Sequence, residues 1–375
     1  MDKNNTKNMN GHSKENMEGR ITLDYGSGGL KTAELIDGIL LPAFDNPALS
    51  SLGDGALLAG NRQLVFSTDS FVVTPWKFPG GDIGKLSVCG TVNDICMAGG
   101  DPKYLSLSFI VEEGFLFSDF RSIVSSIAAE TKKSGVSIVT GDTKVVEAGK
   151  CDGIYINTAG IGFQRAALPG KTGIRPGDAV LISGTIGCHG TAVMMARSGL
   201  LEADSLLVSD CHSLHEISAA ALAAACSMEY TSVSPVSASI PSDSTLPRPS
   251  GAIRILRDPT RGGVATTLNE FTDHMPFSIE LDEAALPVDS AVEAACHMLG
   301  LDPLYCACEG RMLVVCAPAA AAQILAAMRQ VPGGEHAAQI GTVTEDMPGR
   351  VLLKTSIGGR RILSRLTGIQ LPRIC

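Results

Sequence analysis

From Ile21 to about Gln164 the chain alternates short β-branched runs with helical stretches joined by glycine-rich connections. Short strands separated by helices close only into a layered α/β unit, so this alternation limits the fold more than any single motif does. The runs Gln63–Thr68, Tyr104–Val111, Ser137–Thr140 and Gly153–Gly162 read as strands. Thr32–Leu41, Ile83–Ala98 and Ser118–Ser134 read as helices, the last capped by Ser118 and stopped by Gly135. The turn pairs Pro169-Gly170 and Pro176-Gly177 mark a domain boundary. Beyond it come a strand at Ala179–Ser183, helices near Thr191–Arg197 and His215–Met228, a strand at Ile253–Leu256, a helix opening at Gly263 and a strand at Arg311–Cys316. The Ser/Pro-rich stretch Ser232–Gly251 is long for a connection within a compact domain and reads as a lid or a flexible insertion, the insertion being favoured. The expectation is an α/β (α+β) protein of two domains, 21–168 and 169–350. A polar, disordered extension (1–20) precedes them, and a tail (351–375) follows, in which Pro372 stops any helix.

Charge and cysteine usage remove several classes of function. A net charge of −9 does not suit sequence-independent nucleic-acid binding, which needs a basic surface. No apolar run approaches the ~20 residues that span a bilayer, and Ala219–Cys226 reads as a buried helix. The eleven cysteines include the adjacent pairs Cys188–His189, Cys211–His212 and Cys296–His297 but no Cys-x-x-Cys spacing. Without a signal peptide ahead of them they read as reduced thiols of a cytoplasmic protein, not as disulfides or a zinc site.

Four carboxylates stand in unusual settings: Asp54 between Gly53 and Gly55, Asp69 in Ser67-Thr68-Asp69-Ser70, Asp94 in Val92-Asn93-Asp94-Ile95, and Asp142 in Gly141-Asp142-Thr143-Lys144. Most end an apolar run or sit within an apolar helix, where an unpaired charge is costly. Hard oxygen donors grouped this way suit Mg²⁺ holding a polyphosphate, although each alone is also an ordinary turn or capping residue. Gly28 and Gly29, ahead of a helix, offer backbone N–H groups for phosphate oxygens or form a simple linker. A P-loop is excluded because Arg165 stands where its first glycine belongs before Gly170-Lys171-Thr172, and a dinucleotide fingerprint because Lys31 replaces its last glycine. Asp258, Arg261, Gly262 and Gly263 open a helix with an acid, a guanidinium and two glycines, a set that orients phosphates or merely caps the helix. Glu309 lies between an apolar stretch and a strand, where a raised pKa would suit a general base and a turn position would make it unremarkable. Cys375 is not a prenylation signal, since that requires Cys at the position held by Pro372. A thiol at the end of an extended tail is able to enter an active site as a tethered substrate.

Taken in order, Asp24-Tyr-Gly-Ser-Gly-Gly29, Ser67-Thr-Asp-Ser-Phe-Val72, Phe78-Pro-Gly-Gly-Asp-Ile-Gly-Lys85, Gly90-Thr-Val-Asn-Asp94, Thr140-Gly-Asp-Thr-Lys144, Asp258-Pro-Thr-Arg-Gly-Gly263 and Pro372-Arg-Ile-Cys375 resemble the HypE family of hydrogenase maturation factors. The resemblance runs from about residue 21 to the last residue, and only the polar extension and the Ser232–Gly251 loop depart from it. It implies the PurM-like ATP-binding fold, an N-terminal sheet used for homodimerisation, a flexible tail and a cytoplasmic setting. It also implies the chemistry. A HypF-like carbamoyltransferase loads the terminal cysteine, and ATP drives dehydration of the thiocarboxamide to a thiocyanate. A HypC–HypD complex then accepts the cyanide destined for the [NiFe]-hydrogenase iron.

On that reading ATP and Mg²⁺ are required, and Asp54, Asp69, Asp94 and Asp142 hold the metal and phosphates. Gly28, Gly29, Asn93, Gly141, Asp258, Arg261, Gly262 and Gly263 line the nucleotide, while Cys375, Lys144 and Glu309 act on the carbamoyl group; the choice of base between Lys144 and Glu309 stays open. Four other readings compete with this one. Selenophosphate synthetase is disfavoured because its glycine-rich loop carries Cys or selenocysteine and this one has none. Aminoimidazole ribonucleotide synthetase and thiamine-monophosphate kinase do not need a terminal cysteine, and a non-catalytic scaffold does not need so many phosphate-type motifs.

Overall fold

The computed structural model of the protein describes residues 19–26, 30–46, 63–201, 205–226, 252–365 and 373–375. Gly28, Gly29, Asp54, the extension up to residue 18 and the Ser232–Gly251 loop lie outside the described residues.

Two short helices, α1 (Leu30–Leu35) and α2 (Leu41–Phe44), precede strand β1 (Leu64–Phe71). A small ribbon, β2 (Lys77–Phe78) and β3 (Gly81–Asp82), feeds α3 (Ile83–Met97). Then come β4 (Gly100–Glu112), α4 (Phe117–Ser134), β5 (Ser137–Val146) and β6 (Ile154–Gln164). The four long strands form one sheet in the order β1-β6-β4-β5, of which only β4 and β5 run parallel. Leu105, Leu107, Phe109 and Val111 of β4 alternate with more exposed residues and bury one face of the sheet in the core. Helices α3 and α4 cover that face.

Helix α3 has no polar side: thirteen of its fifteen residues are buried, because it lies between the first sheet and the second domain. Asp82 caps its start by accepting from the Lys85 N–H at 2.9 Å. Small residues permit the close packing; a Cβ at Gly90 would stand 2.9 Å from the Phe71 ring.

The second domain is a seven-stranded sheet made of β7 (Ala179–Ile182), β8 (Ile253–Arg257), β9 (Ser278–Asp282), β10 (Leu313–Cys316), β11 (Ala338–Thr344), β12 (Val351–Lys354) and β13 (Arg360–Leu363). Its order is β13-β12-β9-β11-β7-β10-β8, antiparallel except between β12 and β9. Helices α5 (Cys188–Ser198), α6 (His215–Cys226), α7 (Gly263–Thr272), α8 (Ser290–Leu299) and α9 (Pro318–Arg329) complete it. No helix among the described residues is long and apolar enough to cross a membrane.

Several sequence expectations need correction. Strands β1 and β5 run past Thr68 and Thr140, so Asp69 and Asp142 lie within strands rather than beyond their ends. Helix α4 starts one residue before Ser118, with Leu116 at the cap position and no side-chain cap, although Gly135 does stop it with a left-handed φ of 68°. Strands β12 and β13 pair into the second sheet, so the stretch from 351 to 363 belongs to that domain and not to a tail. The sequence reading also passed over β9, β11, α8 and α9, whose short or alanine-rich runs carry little periodic signal.

Candidate active site

The first domain brings two carboxylates together. Cross-strand partners share a face, so Asp69, opposite buried Thr158, points towards α3, as does Ser67 two residues earlier. The Ser67 hydroxyl donates to Oδ2 of Asp94 on α3 at 2.7 Å, and Oδ1 of Asp69 accepts from the Ser70 N–H at 2.7 Å. Burial, with the Asp94 charge adding to it, holds the Asp69 carboxyl above the usual range.

The second domain closes on this pair with two loops. Asp258 follows β8 and is 3% exposed; burial, then the charges of Asp94 and Asp69, push its pKa up to about 7. It does not cap α7, whose N-cap is Gly262. Gly262 and Gly263 have φ of 76° and 61°, and a Cβ on Gly263 would lie 2.6 Å from the carbonyl oxygens of Leu304 and Cys306. These glycines therefore let the Asp258–Gly263 turn lie against the loop that carries Glu309, and the Cys308 N–H donates to the Pro259 carbonyl at 3.0 Å. Arg261, in that turn, is exposed and lowers the pKa of Asp69. Glu309 is 2% exposed, and its Oε1 has no hydrogen-bond partner among the described residues. Burial raises its pKa well above the carboxylate range, and the neighbouring Cys211, Asp258, Asp210 and Asp69 act in the same direction.

Three expected ligands stand elsewhere. Asn93 is buried and spends its amide between domains: Nδ2 donates to the His212 and Glu309 carbonyls at 3.1 and 3.2 Å, and Oδ1 accepts from the Leu214 N–H at 2.7 Å. Its place is that of a clamp, not a nucleotide contact. Asn93→Ala is expected to lower stability by about 3 kcal/mol, since it orphans buried backbone groups worth about 1–3 kcal/mol each. Urea unfolding checks this, and a loss below about 0.5 kcal/mol, the level of an ordinary surface change, would contradict it.

Asp142 and Lys144 do not join Asp69 and Asp94 within one chain. They sit opposite Ser108 and Ile110 of β4, on the sheet face turned away from α3, and pair with each other at 2.8 Å. Lys144 holds the Asp142 carboxyl below the usual range. Gly141 serves packing, because a Cβ there would approach the Leu107 carbonyl oxygen to 2.5 Å.

Cys375 does reach the cluster. The Val72 and Thr74 N–H groups, just past β1, donate to the main-chain oxygens of Cys375 and Arg373, both at 3.2 Å, in an antiparallel arrangement. Ile374 is buried in the core. Burial pushes the Cys375 thiol up to about 12; Glu309 and Asp69 raise it further and Arg261 opposes them. Sequence reasoning missed the residues behind this tail. His189 Nε2 lies 2.6 Å from the Ile374 carbonyl oxygen, and Asp210 Oδ1 accepts from the N–H groups of His189 and Glu309 at 2.9 and 3.4 Å. The only sequence signal is a histidine between two glycines at a helix start, Gly187-Cys-His-Gly190.

The donor set suits a nucleotide with a hard cation. The Asp94 charge raises the pKa of Asp69, and Asp94 and Asp69 both raise that of Asp258, a crowding of like charge that a cation would relieve. Among the described residues no three His, Cys, Asp or Glu side chains converge as a ready-made metal site. Mg²⁺ is commonly held by one or two carboxylates together with substrate phosphates, so the pair of domains fits that mode.

Residues 52–164 match the family described as AIR synthase related protein, N-terminal domain, and residues 175–354 its C-terminal domain. The chain is 47% identical over 360 residues to the carbamoyl dehydratase HypE of Cupriavidus necator, covering 95% of each. Among solved structures it is similar to the hydrogenase maturation protein HypE in complex with ATP, with a TM-score of 0.82, 42% identity and coverage of 94% of this chain and 99% of that one. A HypE–HypF complex matches with a TM-score of 0.70 at 41% identity, over 88% and 99% of the two chains.

Proposed function

The chain belongs to the HypE family of carbamoyl dehydratases, and from that premise we propose that it uses ATP to dehydrate a carbamoyl group carried on Cys375. The observation that carries the reading is the position of the tail, with the Cys375 thiol within electrostatic reach of Glu309, Arg261 and Asp69, where both domains meet.

An amide oxygen is a poor leaving group, so the reaction begins by making it a better one. The carbonyl oxygen of the S-bound carbamoyl group attacks the γ-phosphorus, forming an O–P bond while the bond to ADP breaks. The nitrogen loses one proton as the imidate forms. It loses the second as the C–O bond breaks, phosphate departs and S–C≡N remains. Glu309 is the acceptor we assign for the first of these protons, because its unpartnered Oε1 is available for an N–H and its raised pKa gives it affinity for the proton. The departing phosphate carries away the second. Arg261 offsets charge on the transferring phosphoryl group from the second domain. Asp69 and Asp94, with Asp54, would hold Mg²⁺, which supplies charge neutralisation at the phosphates.

The docked thiol is a poor nucleophile with its pKa near 12. Loading by a HypF-like carbamoyltransferase therefore takes place with the tail released, where an ordinary cysteine pKa of ~8.5 gives more thiolate. Dehydration needs no thiolate and takes place with the tail docked. The cyanide passes to a HypC–HypD-type acceptor in the cytoplasm, where the thiols stay reduced.

Leu64, Phe66 and Ile110 are exposed on the outer sheet face, which also carries Asp142 and Lys144. We assign this apolar face to a homodimer contact, through which Lys144 would serve the partner's site. The function is tested by single-turnover phosphate release: carbamoylated protein should release one phosphate per loaded cysteine, and unloaded protein none. Equal phosphate release without a carbamoyl load would mean that ATP is hydrolysed independently of Cys375 and would overturn this reading.

A further inference from the structure

Residues 373–375 are held by more than the two backbone hydrogen bonds to Val72 and Thr74. His189, at the start of α5, is buried, with its ring edge-to-face against Phe78 at 5.2 Å. A carbonyl only accepts, so the contact of Nε2 with the Ile374 oxygen at 2.6 Å requires Nε2 to carry the proton. Nδ1 then accepts from the Ser209 hydroxyl at 2.8 Å, and Ser209 Oγ in turn accepts from the Cys211 N–H at 3.0 Å. Both ring nitrogens are thereby satisfied in the neutral form, which burial favours. At the other end of α5, Arg197 donates from Nη2 to the Arg373 carbonyl at 2.6 Å and from Nε to the Thr74 carbonyl at 2.8 Å. It thus joins the tail to the strand extension the tail lies against. Arg373 itself pairs with Asp152 and sits over the Tyr155 ring.

We propose that His189 and Arg197 form a latch that grips consecutive carbonyls of the tail, Ile374 and Arg373, and so fixes the register at which Cys375 meets Glu309 and Arg261. Neither side chain touches the reacting group; both are positioning residues. The inference rests on the carrier role given to Cys375. It adds that one end of α5 and the other together decide how often the tail leaves. A helix is a stiff spacer, so two grips on its ends set position as well as affinity. Loosening either should favour release, and with it loading, at the cost of dehydration.

The test separates the latch from the chemistry. In full-length protein alone, the alkylation rate of Cys375 by iodoacetamide is followed by the mass of the C-terminal peptide. His189→Asn keeps a polar group near Ser209 but does not reach Ile374, and should alkylate at Cys375 about tenfold faster than wild type, the factor expected for losing one buried hydrogen bond. His189→Gln places an amide N–H near the Nε2 position and should stay within about threefold of wild type. Arg197→Ala should also accelerate alkylation, with Arg197→Lys in between. In preloaded protein, ATP-dependent conversion of the thiocarboxamide should slow in the same order, while transfer of the carbamoyl group onto Cys375 does not slow. Equal alkylation in wild type and His189→Asn, or identical behaviour of Asn and Gln, overturns the latch. Should the His189 variants fail to fold, the Arg197 pair decides by the same criterion. If the dehydration reading is wrong, wild type itself shows no conversion, yet the alkylation differences remain.

Discussion

Cys375→Ser is expected to abolish thiocyanate formation completely while leaving nucleotide binding within about twofold of wild type, a change too small to reflect a lost contact. The hydroxyl keeps the shape of the tail, so Val72, Thr74 and His189 retain their main-chain partners. What is lost is the atom that carries the substrate. A hydroxyl of high pKa is a far weaker acceptor for the carbamoyl group than a thiolate, and an O-linked group would not yield a thiocyanate. ATP binding, followed by thermal shift or calorimetry, should persist because Asp69, Asp94, Asp258 and Arg261, the residues proposed to face the phosphates, are untouched. Thiocyanate production by the serine variant would remove Cys375 from the mechanism, and loss of nucleotide binding would mean that the tail builds the nucleotide site.

Glu309→Gln should slow dehydration of the preloaded thiocarboxamide by about 10²–10⁴-fold, the range for losing a positioned general base. Gln occupies the same volume but takes no proton, so the loaded intermediate should accumulate. The pH dependence gives a second readout. The Glu309 pKa is raised in the folded protein, so the native state holds its proton where the unfolded chain has lost it. This stabilisation is present at low pH and is lost as pH rises from the unfolded value of 4.5 towards the raised folded one. The Gln variant lacks that loss, so it should be the more stable protein above neutrality and the less active one at every pH. In wild type, dehydration should rise with pH through the same titration, since the base works only as the carboxylate. A second mixture tests the role of the dimer: Lys144→Ala and Glu309→Gln, each inactive alone, should recover roughly a quarter of wild-type activity when co-assembled, because half of the dimers would be mixed and half of their sites intact. No recovery would place Lys144 in the site of its own chain, and an active Lys144→Ala would place it outside catalysis.

Much of this site was legible in the sequence, for a definite reason. Asp69, Asp94 and Asp258 are charges embedded in apolar runs, which is expensive unless a partner is present, and the structure gathers these three with Glu309 at the domain contact. The terminal Pro-Arg-Ile-Cys segment likewise pointed to Cys375, and the described tail brings that residue to the carboxylates. What failed was facing. Ending β5 at Thr140 made Asp142 a turn residue free to join the others. The observed strand runs to Val146, and period-two alternation then fixes Asp142 and Lys144 on the opposite face. Asn93 entered only through the family resemblance, and its amide goes to the second domain, since adjacent helical residues such as Asn93 and Asp94 point in different directions. His189, Arg197 and Asp210 left almost no local signal. Their partners lie up to 185 residues away, and nothing in a helix start such as Cys-His-Gly announces that a distant carbonyl will complete it.

The central claim is that Cys375 carries the group that ATP dehydrates. Its most direct test is the intact mass of the full-length protein over time, first with a HypF-like transferase and carbamoyl phosphate, then after addition of ATP and Mg²⁺. The mass should rise by one carbamoyl group and then fall by one water, with both changes mapping to Cys375. A mass that never changes under conditions where the transferase is competent, or a water loss that maps to any other residue, would contradict the claim.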